Sequence, residues 1–181
     1  DEPYTKGYSA LAKTDVDPLV RSAAVRALGK SGKQEYQGTL IEALKDPSPT
    51  VRWDAAVALD LVPGPAAVEP LRRQGGDDAS ADVRTACAKA LRHYAIRPAV
   101  QTLIRLLDDS SYQVRHQARK SLEEATGRDL GPEPSAWMPL LDGPLTRPAE
   151  KVEYAWWDWM HVYGETVVEE PPAPASQPAR R

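Results

Sequence analysis

Phenylalanine is absent from these 181 residues, methionine occurs twice and cysteine once. A lone cysteine forms no internal disulfide and cannot build a thiolate zinc site. No apolar run approaches the roughly 20 residues that a membrane-spanning helix needs, and no signal-peptide pattern is visible. An excess of positive charge is also missing. The 23 Lys and Arg face 26 Asp and Glu, a net charge of −3, so the basic face that nucleic acid requires is not expected. With 41% hydrophobic and 27% charged residues, the composition is that of a globular protein. The length suits one domain with a real core.

What the chain does have is a repeat. Val-Arg occurs as Val20-Arg21, Val51-Arg52, Val83-Arg84 and Val114-Arg115, at intervals of 31, 32 and 31 residues. A near-constant period in this range marks stacked helical hairpins. Four residues after each valine stands a small residue: Ala24, Ala55, Cys87 or Ala118. Eight residues after it stands Leu28, Leu59, Leu91 or Leu122. These positions share one stripe of an α-helix, and the small residue lets a neighbouring helix approach.

Three residues before each valine stands Asp17, Ser48, Ser80 or Ser111, residue types whose side-chain oxygen caps a helix N-terminus. Pro18 and Pro49 follow at the first helical position, where a missing N–H costs nothing. Five residues before each valine stands Asp15, Asp46, Asp78 or Asp109. The preceding helix of each unit shows its own stripe: Leu40, Ile41 and Leu44; Val68 and Leu71; Val100, Leu103, Ile104 and Leu107. The first unit offers only Tyr8 and Leu11. Gly29, Gly32, Pro63-Gly64-Pro65, Pro98 and Gly127 read as breaks between units, and Gly75-Gly76-Asp77 as a longer turn in the third.

The pattern Asp-x-x-x-x-Val-Arg-x-x-Ala-x-x-x-Leu resembles the HEAT repeat, in the compact bacterial form also found in phycobilisome lyases. Lys45–Leu59 matches it best, and the resemblance spans residues 8–141. It implies an all-α fold, with antiparallel helix pairs stacked into a right-handed superhelix. It also implies ladders between neighbouring repeats, made by Asp15, Asp46, Asp78 and Asp109 with Arg21, Arg52, Arg84 and Arg115. Thr126–Trp137 resembles the end cap of such arrays, with Trp137, Leu140 and Leu141 over the last repeat and Tyr4 and Tyr8 over the first. The expected domains are 1–141 for four repeats with their cap, 142–165 for an aromatic extension and 166–181 for a Pro/Ala-rich tail. The compartment expected for a bacterial protein of this kind is the cytoplasm, or the periplasm if a leader before Asp1 has been removed.

Residues 142–181 carry 4 basic and 7 acidic side chains, so residues 1–141, with 19 of each, are neutral. Pro148–Tyr163 reads as a further helix bearing Trp156, Trp159 and Tyr163 on one stripe and Tyr154 and Trp157 elsewhere. This is more aromatic surface than one helix face needs, so these five residues are the expected partner anchors. The acidic neighbours Glu150, Glu153, Asp158 and Glu165 disfavour an anionic lipid surface.

Catalysis needs polar groups gathered in one place, and none gather here. His93, His116 and His161 are scattered along the chain. No His-Glu dipeptide occurs, so the pattern of iron-binding HEAT hydroxylases is missing. Cys87 lies on the inner stripe, and no Gly-rich phosphate loop is present. The sequence therefore implies a non-enzyme without cofactor or metal: a scaffold or accessory subunit that binds other proteins of a larger assembly. Attachment to a membrane complex is compatible with this reading, whereas nucleic acid and small molecules are not expected. Bilin attachment is the enzymatic alternative. Side chains expected to face solvent from the second helices are Arg26, Asp54, Asp60, Lys89, Arg92, Arg119 and Lys120, acidic in the second unit and basic in the third and fourth.

Overall fold

The computed structural model describes residues 2–145, with side chains from Gly7 onward, all within one compact unit. The described residues are helical throughout. In order they form α1 (Glu2–Thr14), α2 (Pro18–Lys30), α3 (Gln37–Ala43), α4 (Pro49–Leu61), α5 (Val68–Asp77), α6 (Ala81–Ala90), α7 (Arg97–Leu106), α8 (Tyr112–Thr126) and α9 (Pro134–Trp137). Odd and even helices pair as α1–α2, α3–α4, α5–α6 and α7–α8, which is a four-unit helical solenoid. The second helices pack in a row, α2 on α4, α4 on α6 and α6 on α8. The first helices form the other layer, with α1 touching α3 and α5 touching α7. None of these helices is long and apolar enough to cross a membrane.

The core lies between the two layers and follows the stripe. Ala24, Ala55, Cys87 and Ala118 are buried, as are Leu28, Leu59, Leu91 and Leu122. Val51, Val83 and Val114 join them, while Val20 at the array's edge is half-buried. From the first helices come Leu40, Leu44, Val68, Leu71, Val100, Leu103, Ile104 and Leu107, whereas Ile41 stays half-buried. Tyr8 and Leu11 in α1 are exposed. At the other end Trp137 is fully buried and its Nε1–H donates to the Gly131 carbonyl at 2.9 Å. Leu141 is buried beside it and Leu140 is half-buried.

Several local expectations need correction. Gly75 and Gly76 do not extend a turn; both lie inside α5. Gly75 is buried, and a Cβ there would stand 3.3 Å from the Cβ of Cys87. Gly29 is likewise helical, and a Cβ on it would come within 2.5 Å of Ala58 Cβ. Both glycines therefore serve close helix approach. Pro98 opens α7 rather than breaking the chain. Left-handed backbone occurs instead at Gly32 (φ 68°) and at Gly127 (φ 69°), the latter ending α8. Ser48, Ser80 and Ser111 occupy N-cap positions, but their hydroxyls do not cap. Only Asp17 caps with its side chain, accepting from the Leu19 N–H at 2.8 Å. The carboxylate two residues before each serine closes the turn ahead of the helix. Asp46, Asp78 and Asp109 accept from the N–H groups of Ser48, Ser80 and Ser111 at 2.8–2.9 Å.

Candidate interaction surface

Asp46, Asp78 and Asp109 thus sit at tight turns, each facing the arginine of the unit before. Arg21 Nε and Nη2 donate to Asp46 at 2.7 and 2.8 Å. Arg52 donates to Asp78 at 2.7 and 3.0 Å, and Arg84 to Asp109 at 2.8 and 2.9 Å. Such fork-to-carboxylate pairs are the strong form of a charged hydrogen bond. The third guanidinium nitrogen turns back: Nη1 of Arg21, Arg52, Arg84 and Arg115 donates to the backbone carbonyl of Asp15, Asp46, Asp78 and Asp109. The result is one chain of alternating partners through all four units. Its ends differ from its middle. Asp15 receives the Asp17 N–H at 2.9 Å and no arginine of an earlier unit. Arg115 meets no aspartate of a following unit among the described residues and lies 5.9 Å over the Tyr112 ring.

The electrostatics agree with this geometry. Partial burial pushes the Asp46 and Asp78 carboxyls up, but Arg21 and Arg52 outweigh it and hold both below the usual carboxylate range. Arg84 does the same for Asp109. All three are anions bound on every side, so they have no proton to trade at neutral pH. Burial pushes the Cys87 thiol well above its ordinary value, which makes it a packing residue, not a nucleophile.

Asp54 and Asp60, expected on the surface, are buried at 1% and 7% exposure. The reason lies 32 residues away on each side. Ser22 in α2 donates its hydroxyl to Asp54 Oδ2, and Arg26 Nε stands 3.6 Å from Oδ1. On the other side of α4, Asp60 holds Arg92 Nε at 3.0 Å, His93 Nε2 at 2.8 Å and Lys89 Nζ at 3.5 Å. Arg92 continues to Glu124 in α8 at 3.0 Å. Burial raises the Asp60 pKa, and His93 and Arg92 more than reverse it. Arg26, Lys89 and Lys120 are exposed as expected, while Arg92 and Arg119 are half-buried. Arg119 is tied to Asp129 at 2.8 Å.

The repeat is the one that known families describe. Residues 6–92 match the family described as HEAT repeats, and residues 83–109 match the PBS lyase HEAT-like repeat. The chain is a HEAT-repeat protein. Among solved structures this HEAT array is similar to human deoxyhypusine hydroxylase in complex with glycerol, at TM-score 0.60 and 25% identity. The likeness covers 68% of this chain and 44% of that one, so the chain spans less than half of that enzyme's length. No curated protein matches the sequence.

Within the HEAT array the histidines stay apart. His93 is held at Asp60, and His116 stacks on Tyr112 with centroids 5.9 Å apart. Among the described residues no group of three or more His, Cys, Asp or Glu could hold a metal. On the first-helix side an open groove of about 290 Å³ lies between α5 and α7, lined by Arg72, Arg73, Arg105, Thr102 and Glu69 among others. Tyr154, Trp156, Trp157, Trp159 and Tyr163 lie outside the described residues, as do His161 and the tail. Sequence reasoning missed the exposed Trp53 and Leu61 of α4. Aligning the four repeats two, six and ten residues after the valine is the signal that finds them.

Proposed function

We propose that this chain is a non-catalytic HEAT module that holds another protein subunit, with the row of second helices as the holding surface. The observation that supports it most is where the repeated charges go. Six of the eight aspartates and arginines that recur with the period join neighbouring units as three rungs. Such residues serve the array's rigidity. Residues that depart from the period, Trp53 and Leu61 foremost, face solvent on the second-helix row. A repeat array offers an extended, pre-formed surface of this kind for protein partners. The aromatic set Tyr154, Trp156, Trp157, Trp159 and Tyr163 supplies a second contact in this reading.

A photo-cross-linking residue placed at Trp53, at Lys89 or at Tyr112 in the host cell tests the proposal, with Gln101 on the first-helix side as control. One discrete partner band from the second-helix positions and none from Gln101 is the expected result. Equal labelling from both sides, or no band from any position, sinks it. Trp157→Ala is expected to weaken recovery of the same partner while leaving helicity intact; unchanged recovery removes that residue from the contact. Incubation with a bilin separates the alternative, since a covalent red-shifted product would move the chain to the lyase reading.

A further inference from the structure

Deepening that reading, we infer that α4 carries the docking stripe itself, and that its partner is an amphipathic helix with acidic residues along both edges of its apolar face. The stripe emerges when the four second helices are placed in register. Two, six and ten residues after the valine, α2 carries Ser22, Arg26 and Lys30, and α6 with its following turn carries Thr85, Lys89 and His93. In α8 the same places hold His116, Lys120 and Glu124. These are polar or charged in all three helices. In α4 they are Trp53, Val57 and Leu61. Trp53 is 40% exposed and Leu61 57%, with Val57 half-buried between them. The three side chains follow one another at i, i+4 and i+8, so they line about 12 Å of one helix face.

The two edges of this stripe are basic. Asp54, next to Trp53, faces α2, with Arg26 Nε 3.6 Å from its Oδ1. Asp60, next to Leu61, faces α6 and fixes Lys89 and Arg92. Both carboxylates are buried beneath the cations, so the surface presents the cations. Arg26 and Lys89 keep about half of their side-chain surface in solvent, and their contacts to aspartate are long, at 3.6 and 3.5 Å. Their remaining N–H donors are available to a second carboxylate. Lys30 adds an exposed cation on the α2 side.

An apolar centre with cations on two sides selects the shape of the partner. A helix presents an apolar stripe at i, i+3, i+4 and i+7 with different residues along both edges. An extended strand presents a single row per face and cannot supply both edges. A nucleic-acid backbone gains little here, because Arg26, Lys89 and Arg92 already stand beside carboxylates.

Selection of random 16-residue peptides on the full chain tests the inference. Enriched peptides are expected to carry apolar residues at helical spacing with Asp or Glu on both edges. A fluorescein-labelled winner is expected to bind at least tenfold more weakly to Trp53→Ala and to Leu61→Ser. Lys30→Glu, which touches neither buried carboxylate, should weaken it severalfold and should favour a Lys-substituted version of the same peptide. Circular dichroism melts confirm that each variant is folded. The inference is overturned if winners lack acidic edges, if affinity survives both stripe variants, or if no peptide is enriched. It also falls if a 20-nucleotide single strand competes for the stripe, or if sedimentation shows a second copy of the chain seated there. Cross-links from Tyr112 combined with peptides that ignore α4 would leave the binding role standing and remove only the α4 stripe.

Discussion

The three inter-repeat rungs hold charges that are partly buried, so removing one partner strands the other. Arg52→Ala leaves Asp78 without its fork, and a loss of about 3 kcal/mol is expected for breaking such a pair. Arg115→Ala, at the end of the ladder, removes no carboxylate partner and should cost under about 1 kcal/mol; urea titration of both variants checks the contrast. Replacing the pair together, Arg52→Met with Asp78→Leu, should recover most of the Arg52→Ala loss. The pH dependence follows from the direction of the shifts. Asp46, Asp60, Asp78 and Asp109 titrate lower in the folded state than in the unfolded chain. Their stabilisation is therefore fully present above the unfolded value of about 3.9 and is lost as pH falls through the folded values. Thermal melts should show a flat midpoint from neutral pH to about 5 and a steep fall below about 4, with a shallower fall in Asp78→Asn. These rungs were legible in the sequence because they recur with the period. Asp54 and Asp60 were not, because their partners Ser22, Arg92 and His93 stand 32 or 33 residues away and outside the shared motif.

Among the helices, α2 approaches α4 closely at Gly29. Gly29 faces Ala58 so closely that an added methyl has no room. Gly29→Ala is expected to destabilise by about 2 kcal/mol despite alanine's better helix propensity, since overpacking typically costs 1–3 kcal/mol. Ala58→Gly in the same chain should restore much of that loss, and a double-mutant cycle by chemical denaturation measures it. This packing role could not be read in advance. A glycine near a helix end carries a strong turn signal, and only the position of the neighbouring helix decides between a turn and close approach. The apolar stripes of α3, α5 and α7 were readable because burial against a single layer imposes the 3.6-residue spacing. The Ser caps were misread for a related reason. Serine suits the position, but its hydroxyl makes no bond to the first turn; the aspartate two residues earlier, fixed by an arginine, binds the serine's own N–H instead.

At the scale of the whole array, each unit leans only on its neighbours, so damage should stay local. Trp137 closes the last pair. Trp137→Ala is expected to cost about 3 kcal/mol or more, and hydrogen exchange should show α7 and α8 losing protection while α2 and α4 keep theirs. Loss of protection in all helices together would mean that the array unfolds as one unit. The open ends of the charge ladder bear on how such a chain can change over time. Among the described units the first presents Asp15 and the last Arg115, the two halves of one rung. Duplicating any one period, by a slip during copying of its gene, would set a new Arg beside an existing Asp at every junction. The ladder can therefore lengthen or shorten by whole units without leaving one of its own rungs unmatched, whereas loss of the third unit would strip Asp60 of Lys89, Arg92 and His93. A gain or loss of a few residues within a unit has no such protection.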